Sequence, residues 1–538
     1  MKRIYLETFG CQMNVLDSEL IEGRLRQLDY HFTPDCATAD IVLYNTCSVR
    51  QHSEDKVFSR LGLMKIRKQT EPDLIVGVIG CLAERDGAAL LKRLPQVDIL
   101  CGPGQLDQLP ALLESTLRNH RQQAALAGDT SRRSGTLGVA EDSGLELLDL
   151  SRSFSPRKNR YQAYLRVVRG CNKFCTYCVV PYTRGPEISR APQAIIQEAR
   201  RLVDAGVMEI TLLGQTINHY RYEQPAALGA AGAVPRCTTF AELLYQLHEG
   251  LPTLPRLRFV TSFPADFGDD VLQVMAQCPR LCPYLHIPAQ SGSNRILRLM
   301  NRGYTAESYL DLLQRGRRIV PGIALAGDII VGFPTETEAD YQATRTLVEQ
   351  ARYRNCFIFK YSPRPGTVAL HRHADDVPDE EKRRRNRDLL TLQNTITHEL
   401  NQQEVGREVT VLCEGPSGWR ESAESIIAGA PRAATRSPAG PTAASPRVEL
   451  GPRLAAALDG ASSRHAATSP RLSQPVTRNT QLATSRQPCV QLTGRTATDQ
   501  IVVFDGSPTL EGCMVRVRIH AVHGLTAFGR LKYPAARE

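Results

Sequence analysis

The chain has 538 residues, which at about 150 per domain predicts roughly three to four domains rather than one core. Lys and Arg (66) exceed Asp and Glu (56), giving a net charge of +10 that favours a polyanionic partner. Hydrophobic residues at 42% and charged residues at 23% exclude a wholly disordered chain, and no run approaches the ~20 apolar residues that span a bilayer.

MKRIYLETFGC opens as a strand, with neither an apolar core nor a cleavage site, so no secretory signal is expected and a cytoplasmic location is. Residues 1–118 then alternate strands (Arg3–Phe9, Ile41–Asn45, Leu74–Ile79, Val97–Leu100) with helices. The first helix places Leu20, Ile21, Leu25 and Leu28 on one stripe, with Asp17 as its N-cap. Strands separated by helices make a parallel α/β sandwich. Residues 119–158 are polar and irregular and read as a linker. Six further strands, YLRVVRG, EITLLGQ, LRFVTSF, YLHIPAQ, LAGDIIVGFP and CFIFKYSP, recur between helices in the core at 159–400, which fits a partial (β/α)6 barrel better than a complete eight-fold one. A helix begins after Pro378 with Asp379, Glu380 and Glu381 in its first turn, and Lys382–Arg387 reads as its solvated face. Residues 401–416 and 489–535 read as short strands and Gly turns of a small β-barrel. Between them, 417–488 holds nine Arg, no Lys and four acids in an Ala/Ser/Thr/Pro-rich stretch, expected to be a disordered insertion.

Fifteen cysteines are too sparse for a disulfide scaffold and read as metal ligands where they cluster. Cys171, Cys175 and Cys178 stand in CNKFCTYC, directly after a barrel strand. Three thiolates on one tight loop can hold three irons of a cubane and leave the fourth open for chemistry. Zinc is the alternative, but tetrahedral zinc wants a fourth ligand, and no further Cys or His is near in sequence. Cys11, Cys47 and Cys81 each end a predicted strand of the first sheet, one βαβ repeat apart, so they meet at one sheet edge. The reading is a second three-cysteine cluster; the alternative is buried cysteines acting as small hydrophobes. Cys36, Cys101, Cys237 and Cys356 lack such placement; the C-x3-C pair Cys278/Cys282 could bind metal, but a structural role is the reading.

CNKFCTYC resembles the signature of radical S-adenosylmethionine (SAM) enzymes. Together with GCQMN (Gly10–Asn14), NTCSVR (Asn45–Arg50), Gly80–Cys81 and CNKFCTYCVVPYTRGPEISR (Cys171–Arg190), it is similar to the methylthiotransferases of that class. QSGS (Gln290–Ser293), MNRGYT (Met300–Thr305), DIIVGFP (Asp328–Pro334) and SPRPGT (Ser362–Thr367) match in order, and the β-rich end resembles a TRAM RNA-binding module. Within the family, GCQMN and YCVVPYTRG look most like the members acting on N6-isopentenyladenosine in tRNA; sisters act on threonylcarbamoyladenosine or a ribosomal-protein aspartate. A non-catalytic RNA-binding protein with structural zinc is the distant alternative.

The resemblance implies two [4Fe-4S] clusters, at Cys171/Cys175/Cys178 and at Cys11/Cys47/Cys81, and two SAM per turnover. The first cluster would reduce SAM to a radical that takes the C2 hydrogen of the adenine, chemistry beyond side-chain bases; the second would hold the sulfur. Partners implied are the tRNA anticodon loop with isopentenyladenosine-37 and a flavodoxin-type electron donor, with the chain a monomer. Tyr177, beside Cys178, is the candidate adenine contact for SAM; Gln215 and Ser262, at barrel strand ends, are candidate contacts for its polar groups. Arg184 and Arg302 would meet an anion or pair structurally, and His219 and His286 read as structural.

Overall fold

The structure is a computed structural model describing residues 2–48, 51–125, 149, 160–224, 236–418 and 489–532. All of the expected insertion but Ser417 and Gly418, and most of the expected linker, lie outside these residues, as do Val49 and Arg50.

The first sheet contains β1 (Arg3–Phe9), β2 (His31–Phe32), β3 (Ile41–Thr46), β4 (Ile75–Gly80) and β5 (Ile99–Cys101), all parallel, in the order β2-β1-β3-β4-β5. Helices α1 (Gln12–Arg26) and α4 (Leu109–Ala125) cover one face, where Leu16, Leu20, Ile21 and Leu113 meet Ile41, Leu43 and Ile75. On the other face, α2 (Gln51–Thr70) and α3 (Cys81–Arg93) bring Val57, Leu61 and Leu82 against Val42, Tyr44 and Val76. Because both faces are covered, the central strands β3 and β4 are buried throughout and read as largely apolar runs.

Asp17 is not a cap. Helix α1 starts from Cys11, and Asp17 sits inside it, fully buried, because its carboxylate is used by arginines distant in sequence. Leu28 lies beyond the helix and is exposed.

The six barrel strands are β6 (Gln162–Arg166), β7 (Glu209–Leu213), β8 (Arg256–Phe259), β9 (Tyr284–His286), β10 (Ala324–Val331) and β11 (Asn355–Lys360). They form two parallel three-stranded sheets, β8-β7-β6 and β9-β10-β11. Single hydrogen bonds stitch the seam: Leu257 N to Arg280 O at 2.7 Å, Cys282 N to Leu257 O at 2.8 Å and Ser262 N to His286 O at 3.1 Å. The helices between the strands supply the outer half of the main core, through Ile195, Leu202, Leu244, Leu247, Leu312 and Leu347. The helix after Pro378 runs Asp379–Gln402. Its basic cluster is only partly solvated: Arg385 is buried against Glu336 (2.7 Å) and Lys382 is buried beside Asp375.

Strands β12 (Glu408–Pro416), β13 (Val490–Thr496), β14 (Ile501–Gly506), β15 (Met514–His523) and β16 (Thr526–Leu531) close a small barrel in the order β12-β13-β14-β16-β15. It docks on the amino ends of β7 and β8 through barrel arginines: Arg256 donates to Arg495 O (2.7 Å) and Thr410 O (2.8 Å), and Arg258 to Thr496 O (3.2 Å). No described helix is long and apolar enough to cross a membrane.

Candidate active site

Cys11, Cys47 and Cys81 follow β1, β3 and β4, which are neighbours in the first sheet. The strand order reverses between β1 and β3, and the carboxyl ends of strands at such a reversal are where ligands bind. Gly80 makes the approach possible: its φ is +89°, and a Cβ there would stand 2.4 Å from Asn45 Oδ1 and 2.7 Å from Thr46 O. Behind the thiols, two fully buried amides clasp each other, with Asn14 Nδ2 donating to Asn45 Oδ1 (3.0 Å) and Asn45 Nδ2 to Asn14 O (2.9 Å). The Cys11 thiol donates to Asn14 Oδ1 at 3.2 Å. These are the Asn residues of GCQMN and NTC, so the motifs encode a scaffold for the cysteines as well as the cysteines. The Cys47 hydrogen bond and the charge of Arg184 bring the Cys11 thiol down to about 6 against its burial. Burial raises Cys81, and Arg184 opposes it.

The second set lies on the loop after β6. Gly170 has φ +66°, and a Cβ on it would stand 1.9 Å from Pro186 O. Cys171 N donates to Gly185 O (3.2 Å), which ties the start of the loop to the segment leaving it. Thr176 is pinned by its N to Met300 O (3.1 Å) and its Oγ1 to Leu299 O (2.8 Å). Asn301 donates to Phe174 O at 3.2 Å, holding that residue in a left-handed conformation. The Cys171 thiol lies 3.3 Å from Thr216 Oγ1, and the buried Arg302 donates to Cys175 Sγ at 3.4 Å and to Tyr304 Oη at 2.9 Å. Burial pushes the Cys178 thiol up to about 12, and Cys175 and Cys171 add to it.

Among the described residues, no three His, Cys, Asp or Glu side chains stand close enough to hold a metal ion as placed. The donor chemistry nevertheless fits iron–sulfur ligation: each set offers three thiols, an arginine stands beside each, and all fifteen cysteines are free. Thr46 and Ser48, flanking Cys47, bury hydroxyls without hydrogen-bond partners, donors that an anionic sulfide-bearing group can accept.

The three SAM candidates fall differently. Ser262 is buried after β8, and its Oγ has no hydrogen-bond partner; Gln290 Oε1, in the QSGS motif but not among the SAM candidates, is a second such atom in the segment after β9. Gln215 is half-buried just past β7. Tyr177 is half-buried and packs against the cluster of Ile296, Met300, Phe333, Tyr361 and Ala369. His219 sits between Glu187 (3.2 Å), Asp266 (3.0 Å) and Lys173 (2.7 Å), and His286 lies 3.3 Å from Asp328. Cys278 and Cys282 are buried and unbridged.

Gly170→Ala is expected to cost about 1–3 kcal/mol for the left-handed backbone alone. The overlap with Pro186 O adds to that cost. A lowered urea midpoint with reduced iron uptake on anaerobic reconstitution is the expected result; an unchanged midpoint would contradict the argument.

Arg184 and Arg364 join the two regions. Both are buried on the barrel side and reach the N-terminal helices, Arg184 to Asp17 (2.9 Å) and Arg364 to Glu54 (3.1 Å) and Gln51 (2.7 Å). Both thiol sets are thereby held by one continuous packed structure.

Residues 3–102 match the family described as Uncharacterized protein family UPF0004, and residues 165–348 match the Radical SAM superfamily. The tRNA-2-methylthio-N(6)-dimethylallyladenosine synthase of Rhodopirellula baltica is 38% identical over 531 residues, covering 99% of this chain and 96% of that protein. The same-named protein of Roseobacter denitrificans is 44% identical over 417 residues, covering 77% of this chain and 88% of its own. Among solved structures, the radical S-adenosylmethionine methyltransferase TsrM from Kitasatospora setae aligns with a TM-score of 0.48 and 16% identity, covering 78% of this chain and 79% of that one. The chain belongs to the family of tRNA-2-methylthio-N(6)-dimethylallyladenosine synthases, within the radical SAM superfamily.

Proposed function

We propose that this protein converts N6-isopentenyladenosine at position 37 of tRNA to its 2-methylthio derivative, with a [4Fe-4S] cluster at each thiol set and two SAM per turnover. What supports the reading is that each three-cysteine set follows the carboxyl ends of strands in one of two parallel sheets, which Arg184 and Arg364 tie together. When bound, the cluster at Cys171, Cys175 and Cys178 supplies the electron that cleaves SAM, and the group at Cys11, Cys47 and Cys81 supplies sulfur. Arg302 balances charge beside Cys175, and Ser262, Gln290 and Gln215 offer polar contacts to SAM at the barrel mouth. Tyr177, between Cys175 and Cys178, would contact the SAM adenine through its backbone and its half-buried ring.

The substrate base must leave its stack to enter between the sheets. The small barrel supports recognition of the anticodon loop: Arg516, Arg518 and His520 alternate outward along β15, a basic row suited to phosphates. The chain acts as a monomer supplied with electrons by a flavodoxin-type protein.

Mass spectrometry of tRNA nucleosides from a strain lacking this chain tests the reading. Loss of the methylthio nucleoside with accumulation of plain isopentenyladenosine is expected. Unchanged thiolation of isopentenyladenosine would remove this substrate and turn attention to threonylcarbamoyladenosine or a ribosomal protein.

A further inference from the structure

The Arg184 guanidinium is 5% exposed, and among the described residues its only carboxylate partner is Asp17, at 2.9 Å. That carboxylate is shared, since Arg166 also holds it, at 3.0 Å. Arg166 has a second carboxylate in Asp149, at 2.6 Å. Arg184 has no second one among the described residues; the short turn Val180–Thr183 that it ends packs against α3, which begins at Cys81, and the Cys81 and Cys11 thiols act on its charge. A buried guanidinium sharing a single carboxylate is short of negative charge, and burying a charge is costly unless it is paired. Among the described residues, the further negative charge near Arg184 is that of the thiols.

The residue's place in the chain is equally specific. Arg184 follows Cys178 by six positions and ends the short helical turn Val180–Thr183, with its N donating to Val180 O at 2.9 Å. The next residue, Gly185, accepts from Cys171 N, and Pro186 O closes over Gly170. One short stretch of backbone therefore fixes the barrel thiols at one end and presents a cation to the N-terminal thiols at the other.

We infer that Arg184, although carried by the barrel, is a positioning residue of the N-terminal thiol set: it supplies the cation that balances the anionic group held by Cys11, Cys47 and Cys81, so that set is electrostatically complete only when the barrel is docked. The inference rests on the reading of two separate cluster sites. Arg364 also relies on one shared carboxylate, Glu54, which Arg85 holds at 2.8 Å, but it has the Gln51 amide oxygen as a further partner at 2.7 Å.

The test uses the full chain with Cys171, Cys175 and Cys178 all changed to Ala, so that only the N-terminal set takes iron. After anaerobic reconstitution, iron content and midpoint potential are read by dithionite titration followed by electron paramagnetic resonance, with Arg184 intact, R184K and R184Q. The parent is expected to hold about four irons. Removing the cation disfavours an added electron, so R184Q is expected to move the midpoint negative by about tenfold in the one-electron equilibrium, ~59 mV. If R184Q instead loses iron, the same cause is at work when R184K restores it. R184Q with full iron and an unmoved midpoint overturns the inference. So does R184K behaving like R184Q, because charge would then not be what the site requires. A parent that takes up no iron brings down the two-site reading itself, a result distinguishable from either of these.

Discussion

Cys47→Ala is expected to end methylthiolation while leaving SAM cleavage within about threefold of the parent, and Cys175→Ala to end both. The two thiols sit in different electrostatic surroundings. Cys47 closes β3, is 1% exposed and hydrogen-bonds Cys11, while Cys175 lies 3.4 Å from the Arg302 guanidinium on the loop after β6. Removing one small buried thiol costs little packing, so both variants fold, and the difference is chemical. In the first variant the loss of methylthio product is expected to exceed about a thousandfold, ~4 kcal/mol of barrier; the threefold allowance on SAM cleavage is only ~0.6 kcal/mol. Anaerobic turnovers with SAM and isopentenyladenosine-containing tRNA, counting 5′-deoxyadenosine and methylthio nucleoside separately, decide it. Should Cys47→Ala stop SAM cleavage as well, the two sets have no separate roles.

The parts of this site visible in the sequence are those fixed by local pattern. The runs ending at Cys47 and Cys81 are covered on both faces, so they announce themselves as apolar stretches with a cysteine at one end, and the half-buried strand Arg3–Phe9 is likewise followed by Cys11. The spacing of Cys171, Cys175 and Cys178 is likewise local. What was not legible depends on partners far away in the chain. Asp17 looks like a cap because an acid before an apolar stripe usually is one. Its arginines lie 149 and 167 residues further on. Lys382 and Arg385 look solvated within a basic run, until Asp375 and Glu336 are folded beneath them. Ser262 and Gln290 differ from any strand-end polar residue only in being buried without a partner, which no sequence pattern encodes.

Asp149 falls in the stretch read from sequence as a polar linker, yet it is 1% exposed and lies against three arginines: Arg166 at 2.6 Å, Arg169 at 2.6 Å and Arg190 at 3.4 Å. Burial alone would push its carboxyl up; the charges of Arg166, Arg190 and Arg169 outweigh that and hold it well below the usual carboxylate range. Asp149→Asn keeps the shape and removes the charge, which leaves buried guanidiniums short of their counter-ion. Breaking a buried ion set in this way costs about 3–5 kcal/mol. The sign of the pH dependence follows from the depressed carboxyl. The contribution is fully present above the unfolded carboxyl value of about 4 and is lost as pH falls through the lower folded value. Urea unfolding of the two proteins should therefore show a full stability gap at pH 7 that narrows as pH drops below about 4. Arg166 is bonded both to Asp149 and to Asp17, the carboxylate that Arg184 shares, so the damage should reach the N-terminal thiols. Asp149→Asn is expected to lower iron uptake there, although residue 149 touches neither cysteine set. A gap that stays constant from pH 7 to pH 3 would mean that the carboxylate is not ionised against these arginines, and the electrostatic account of the interface would fail.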